Sequence, residues 1–276
     1  MMVTIDNLQF NYSKHIVFND VSMKLEAGKI YGLLGQNGVG KTTLLKIMSG
    51  LLKLKSGSCR VNGYNPYLRE PGFLGELFYI PEDFMGPDLV VNKFARLRGE
   101  FYPNYDHNKF SRLMTEFEVN GNSKFTKLSF GQQKKAIIAF ALSTNTKLIL
   151  MDEPSNGLDI PSKAQLRRVI SQASTDETCI VISTHQVRDL ENLIDPIIIL
   201  DRNGVLLNAS IDEISQKLCF EFSPTASENA IYSEQTLGGF INVNRNITGR
   251  ECKVNIEALF NSVLQNRELI KDIFKK

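Results

Sequence analysis

The residues best suited to chemistry lie in Gly35-Gln36-Asn37-Gly38-Val39-Gly40-Lys41-Thr42, which has the pattern G-x-x-x-x-G-K-S/T. In such a loop successive backbone N–H groups wrap phosphate oxygens, and the positive end of the following helix adds to the attraction. Glycine allows the backbone to approach the anion closely. Lys41 is placed to lie along the β- and γ-phosphates of a nucleoside triphosphate, and the Thr42 hydroxyl to ligate Mg²⁺. An acidic pair, Asp152-Glu153, ends the apolar run 148–151. Nucleoside triphosphatases use such a run to bring a carboxylate to the carboxyl edge of a parallel sheet. Acidic pairs open many loops, so this one takes its meaning from the phosphate loop ahead of it. Other residues stay open by type and spacing. Tyr12, close behind Phe10, suits either stacking on a purine or core packing. Ser129 suits a helix N-cap. His185 is a lone histidine, a residue more often structural than chemical.

These groups need elements to hold them. Residues 30–34 read as a buried parallel strand entering the glycine loop, and residues 43–49 as the helix that leaves it. Ahead of them, residues 3–10 and 21–25 alternate apolar and polar, the pattern of half-buried antiparallel strands. Residues 58–61 read as a strand entering the Asn62-Gly63 turn, and residues 77–80 as a short apolar strand closed by Pro81-Glu82-Asp83. From about 90 to 118 the apolar residues recur at helical steps, interrupted by Tyr102-Pro103-Asn104-Tyr105-Asp106. An Ala- and Ile-rich helix follows Leu128-Ser129-Phe130-Gly131-Gln132 and runs to Ser143. Beyond Glu153 the pattern predicts a helix over 162–174 and a strand over 178–183 that ends at Thr184-His185. A strand over 197–200 and a hairpin turn over 202–205 come next. The last stretch reads as a short helix, strands around Phe220 and Phe240, and one helix over 256–274.

A chain of 276 residues can bury a substantial core. Its 42% hydrophobic and 22% charged residues are ordinary for a globular protein, and a net charge of +2 without a basic stripe points away from nucleic acid. The cysteines, Cys59, Cys179, Cys219 and Cys252, show no C-x-x-C pairing and read as reduced, inert thiols. The N-terminus lacks the layout of a signal peptide. No apolar run reaches the roughly 20 residues that span a bilayer.

Taken in order, these stretches resemble the ATP-binding subunit of an ABC transporter over residues 1–215. Gly35 to Thr42 resembles the Walker A loop and Leu128 to Gln132 the signature motif. Leu148 to Glu153 resembles the Walker B strand with its catalytic glutamate, and Asn156 to Asp159 the D-loop. His185 is similar to the switch histidine and Tyr12 to the adenine-stacking aromatic. The fold implied is α/β, a P-loop NTPase of the ABC ATPase type. It carries an antiparallel β subdomain, a helical insertion over about 83–145 and a small C-terminal α+β extension at 216–276. Two departures stand out. Phe130 replaces the glycine of the commonest signature, while Ser129 and Gly131 are kept. Glu82 stands where most members have the Q-loop glutamine, which resembles bacterial exporters with a separate permease, as does the Tyr102 to Asp106 segment.

The resemblance implies ATP hydrolysis between two subunits closed head to tail, a homodimer or a heterodimer with a paralogous subunit. Glu153 is expected as general base, His185 and Lys41 as its catalytic partners, and Asp152, Thr42 and Glu82 as Mg²⁺ residues. Tyr12, Gly35, Asn37, Gly38, Gly40, Lys41, Thr42 and Thr43 are expected to hold ATP, together with Ser129, Gly131, Gln132 and Asp159 from the facing chain. A transmembrane permease partner and a place on the cytoplasmic face of the membrane follow. Two other functions compete: a soluble ABC ATPase acting on DNA or protein assemblies, and a nucleotide-gated regulatory subunit, to which Glu82 lends some weight. The C-terminal region reads equally as a regulatory or dimer-stabilising unit and as a cover for the sheet edge.

Overall fold

The computed structural model describes residues 1–202 and 204–275. Strands β1 (Val3–Tyr12) and β2 (His15–Leu25) form a hairpin, and β3 (Ile30–Leu34) leads through the glycine loop into α1 (Lys41–Met48). β4 (Ser56–Val61), the short α2 (Pro71–Leu74) and β5 (Leu77–Ile80) follow. Next come α3 (Val91–Gly99), α4 (His107–Glu116), α5 (Phe130–Ser143), β6 (Leu148–Asp152) and α6 (Ile160–Ala173). After β7 (Cys179–Thr184), the strands β8 (Ile197–Asp201) and β9 (Gly204–Ala209) pair antiparallel. The expected turn between them includes Asn203, outside the described residues. The chain closes with α7 (Ile211–Lys217), β10 (Leu218–Ser223), β11 (Tyr232–Thr236), β12 (Gly239–Arg245), α8 (Ile256–Gln265) and α9 (Arg267–Phe274).

The central sheet has the order β5-β6-β7-β3-β8-β9, parallel up to β8. Its strands are apolar throughout because both faces are covered. Leu148, Leu150, Val181 and Ile198 point into the layer shared with α1 and the antiparallel sheet β2-β1-β4. Ile149, Met151, Ile180, Ile182 and Ile199 point the other way, toward α5, α6 and α8. This period of two sets the carboxyl ends of β3, β6 and β7 side by side, so the glycine loop, Asp152-Glu153 and His185 emerge at one edge of the sheet. The insertion helices are held by aromatic rings. Phe78, Phe94, Tyr102, Tyr105 and Phe110 surround Phe140 of α5 with centroids 5.3 to 6.3 Å away.

The C-terminal region departs from expectation in three ways. Cys219 and Cys252 are joined as a disulfide with Cα atoms 5.4 Å apart, which corrects the reading of both as reduced thiols. Their separation of 33 residues carries no pairing signal, and the bond exists because the chain returns past β10 before α8. Cys59 and Cys179 are free and buried, and burial raises each thiol to about 12. The single helix expected over 256–274 is broken at Asn266, whose side chain donates to the carbonyl of Ile231 at 2.9 Å. The break turns α9 onto β9, and Arg267 at its start pairs with Asp201, the last residue of β8, at 2.7 Å. The sheet β10-β12-β11 gains a strand, β11, whose polar sequence YSEQT hid it. Buried Asn242 ties this sheet together by accepting from Ser233 and Ser227 and donating to Ser223.

Candidate active site

The glycine loop wraps the entrance of α1 with Gly38 and Gly40 at φ +81° and +107°, a region that residues with a Cβ rarely adopt. A Cβ at Gly40 would meet Phe18 at 2.7 Å and one at Gly35 would meet Val39 at 2.7 Å, so at these positions glycine makes room for the protein itself. A Cβ at Gly38 would meet nothing within 4 Å. There the bare backbone faces a cleft of about 600 Å³, lined among others by Tyr12, Asn37, Lys41, Thr42, Thr43, Glu82, Glu153, Asn156 and His185. Lys41 is buried at the head of α1 and donates to the carbonyl of Gly35 at 2.8 Å. Burial lowers its pKa, and the nearby charges of Glu153, Asp152 and Glu82 oppose that shift.

Glu153, itself buried, is one of the residues lining the cleft. Its Oε1 is 2.9 Å from His185 Nδ1 and 3.8 Å from Lys41 Nζ. Its backbone sits at φ +46°, and a non-glycine residue held in a sparsely populated region costs about 1–3 kcal/mol, a strain concentrated at functional sites. Ser183, the last-but-one residue of β7, holds the neighbouring groups in place. Its hydroxyl donates to Asp152 Oδ1 and accepts from the Glu153 N–H at 3.1 Å. Asp152 is 1% exposed at the end of β6. Glu82 reaches the same cleft, where its Oε1 accepts from Asn156 Nδ2 at 2.9 Å.

Tyr12 packs one edge on Phe10 with centroids 4.8 Å apart, yet it is 46% exposed and lines the cleft. Its hydroxyl lies 3.4 Å from Thr43 Oγ1. Ser129, Gly131, Gln132 and Asp159 do not line this cleft. Ser129 is exposed and caps α5 in a reciprocal capping box with Gln132. Asp159 caps α6 by accepting from the Ser162 N–H at 2.9 Å, and hydrogen bonding from the Ser162 side chain and then its N–H holds the carboxyl below the usual range. Sequence reasoning missed Ser183 and Lys134 as part of the site and gave Asn156 no contact with Glu82. The one available signal was polarity inside an apolar run, such as Ser183 in CIVIST.

The residues fit ATP with Mg²⁺. A glycine cradle facing open space, a buried lysine at a helix start and a purine-accessible tyrosine suit a nucleoside triphosphate. Among the described residues no group of three or more His, Cys, Asp or Glu is gathered to hold an ion alone. Mg²⁺ takes one or two carboxylates along with substrate phosphates and water, and the buried Asp152 at the strand end and Glu82 in the cleft are carboxylates of that kind. Phosphate loop, acidic strand end and histidine strand end at one edge of a parallel sheet define a P-loop nucleoside triphosphatase.

Comparison narrows that class. The family model described as "ABC transporter" matches residues 18–156, just over half of the chain. Relatives at similar distance include the ABC transporter ATP-binding protein YtrB of Bacillus subtilis, 27% identical, with 78% of this chain and 74% of that protein covered. Another is the energy-coupling factor transporter ATP-binding protein EcfA2 of Staphylococcus aureus, 28% identical, with 78% and 82% covered. A solved ATP-binding subunit of an ABC transporter superimposes with a TM-score of 0.71 at 26% identity, covering 78% of this chain and 92% of that one. The dimeric bacterial cassette MJ0796 shares the fold with a TM-score of 0.67 at 20% identity, covering 76% and 98%. The chain belongs to the ABC transporter family, as an ATP-binding subunit with ATPase activity. Among the described residues no helix is long and apolar enough to cross a membrane.

Proposed function

We propose that this chain powers export through a separate transmembrane permease, as one of two ATP-binding subunits, alike or paralogous, on the cytoplasmic face of the cell membrane. The observation that carries the reading is the meeting of Glu153, His185 and Lys41 on one side of the cleft, at 2.9 and 3.8 Å from a single carboxylate oxygen. Glu153 acts as general base toward the attacking water, and His185 holds that carboxylate in register. Lys41 offsets charge on the transferring phosphoryl group, the kind of fixed electrostatic aid that supplies most of the barrier reduction. Tyr12 takes the adenine, while Gly35, Asn37, Gly38, Gly40, Thr42 and Thr43 surround the phosphates. Thr42, Asp152 and Glu82 are the residues that would hold Mg²⁺, which supplies charge neutralisation at the phosphates.

Ser129, Gly131, Gln132 and Asp159 serve the facing subunit's nucleotide. Their position away from the chain's own cleft supports this, as does the exposure of Ser129. We take residues 1–215 as the ATP-binding domain, with the insertion at about 83–145, and residues 216–276 as an accessory unit. The permease contact is supported by a groove beside α3, lined by Leu51, Leu74, Arg98, Phe101 and Tyr102, in which Phe101 is 69% exposed. Export, in place of import, rests on Glu82 and on the Tyr102 to Asp106 segment; the relatives' names give transport without a direction.

Glu153→Gln tests the central assignment. It is expected to bind ATP, nearly abolish hydrolysis and accumulate an ATP-bound dimer on size exclusion. Hydrolysis at the unmodified rate removes Glu153 from the role of base.

A further inference from the structure

Lys134 lies just over one turn into α5, behind the signature residues, and is 1% exposed. An ammonium so enclosed needs matched acceptors. It has them in the backbone: Nζ donates to the carbonyls of Glu153 and Asn156, each at 2.9 Å. Phe130, one turn earlier, stacks over it with the ammonium 5.1 Å from the ring centroid. The same ring packs on Gly157, where a Cβ would lie 3.0 Å from Phe130 Cε1. This contact gives a reason for the phenylalanine at that point of the signature stretch.

The carbonyl of Glu153 is a consequential one to hold. Glu153 is a non-glycine residue in the left-handed region, and such a conformer persists only where the surroundings over-determine it. Its N–H is held from one side by the carbonyl and hydroxyl of Ser183, at 3.2 and 3.1 Å. Its C=O is held from the other side by Lys134. At the far end of the turn, Asn156 gives its carbonyl to Lys134 and its amide to Glu82. One buried cation thus joins three things: the helix that presents Ser129, the turn that presents the Glu153 carboxylate, and, through Asn156, the glutamate at the Q-loop position.

We propose that Lys134 is a positioning residue for ATP hydrolysis: its ammonium fixes the Glu153–Asn156 turn so that the carboxylate faces the cleft, and links that turn to the Ser129 end of α5. The inference rests on the proposed role of Glu153. Ser129 lies outside the cleft that Glu153 lines, so the link joins the end of α5 proposed to face the partner to the carboxylate of the same chain.

The test is steady-state hydrolysis by the full chain carrying Lys134→Met, with Glu153→Gln measured beside it. A small misplacement of a reacting group costs up to about a hundredfold in rate, so kcat is expected to fall by about ten- to hundredfold while KM for ATP stays within about twofold. With Glu153→Gln added, Lys134→Met is expected to keep the ATP-dependent dimer, which a general collapse of α5 would abolish. Lys134→Gln retains a donor for one carbonyl and is expected to recover part of the rate; it carries the same comparison if the methionine variant does not fold. Undiminished kcat in a folded Lys134 variant beside an inactive Glu153→Gln overturns this inference alone, and so does loss of the dimer. Normal hydrolysis by Glu153→Gln overturns the reading of Glu153 and this inference with it.

Discussion

At the scale of single residues, the site works by holding charged groups where water is scarce. Lys41 is buried, its ammonium between the carbonyl of Gly35 and the carboxylate of Glu153, so its position is set before any phosphate arrives. Hydrogen bonds to charged groups contribute about 1.5–3 kcal/mol, which is on the order of ten- to hundredfold in affinity. Lys41→Ala is therefore expected to weaken ATP binding by that order in a fluorescent-nucleotide titration. Unchanged affinity contradicts the phosphate-cradle assignment. Glu82 is a different case, because its carboxylate is already engaged by Asn156. That hydrogen bond ties down part of the extra negative charge at the cleft; burial lowers the pKa of Lys134, and the charges of Glu82 and Glu153 oppose that shift.

At the scale of elements, α5 is asked to be both a core helix and a presenting surface. Its body, from Ala136 to Ser143, is buried, while its first turn stands exposed behind a complete capping box. Loss of an N-cap side chain costs about 1 kcal/mol, and aspartate caps as well as serine does. Ser129→Ala is expected to lower the melting temperature and to weaken the ATP-dependent dimer. Ser129→Asp is expected to keep the melting temperature yet still lose the dimer, because a carboxylate would face the partner's phosphates. Dimerisation at the unmodified level in both variants would leave Ser129 a cap and nothing more. The C-terminal unit has its own brace in Cys219–Cys252. Closing a loop of 33 residues restricts the unfolded chain by about 3–4 kcal/mol in the loop-entropy account. Reduction is expected to destabilise this unit, read as faster hydrogen exchange across 218–256. Reducing compartments keep such bonds open, so alkylation of thiols in freshly lysed cells will report which state the protein uses.

For the whole molecule, the two surfaces that matter lie apart. The cleft and the Ser129 end of α5 are separate, while the groove at α3 opens beside the insertion. The accessory unit is no distant appendage: α8 packs on β8 and on the turn Val187–Leu190 that follows His185, where Arg188 meets Glu257 at 2.6 Å. That pair is exposed and worth little by itself; the apolar contacts of Leu259 and Val263 do the anchoring. Phe101→Asp is expected to abolish co-purification with a polytopic membrane protein while leaving the subunit's own ATP hydrolysis intact. Retained co-purification would move the permease contact elsewhere.

The glycine loop and the acidic strand end were legible in the sequence because their pattern is local. A strand, the six loop residues from Gly35 to Gly40 and the helix start at Lys41-Thr42 form the loop motif, and an apolar strand running into Asp152-Glu153 sets the acids. The order of the other motifs carried the family and with it the α/β fold. Only the tertiary structure decided what depends on distant partners. It placed Lys134 under the Glu153 turn, joined Cys219 to Cys252, broke the last helix at Asn266 where Ile231 takes its amide, and added β11 around Asn242. A buried charge, a disulfide or a mid-helix asparagine leaves no periodicity in its own neighbourhood. Its meaning comes from whichever groups the folded chain brings to meet it.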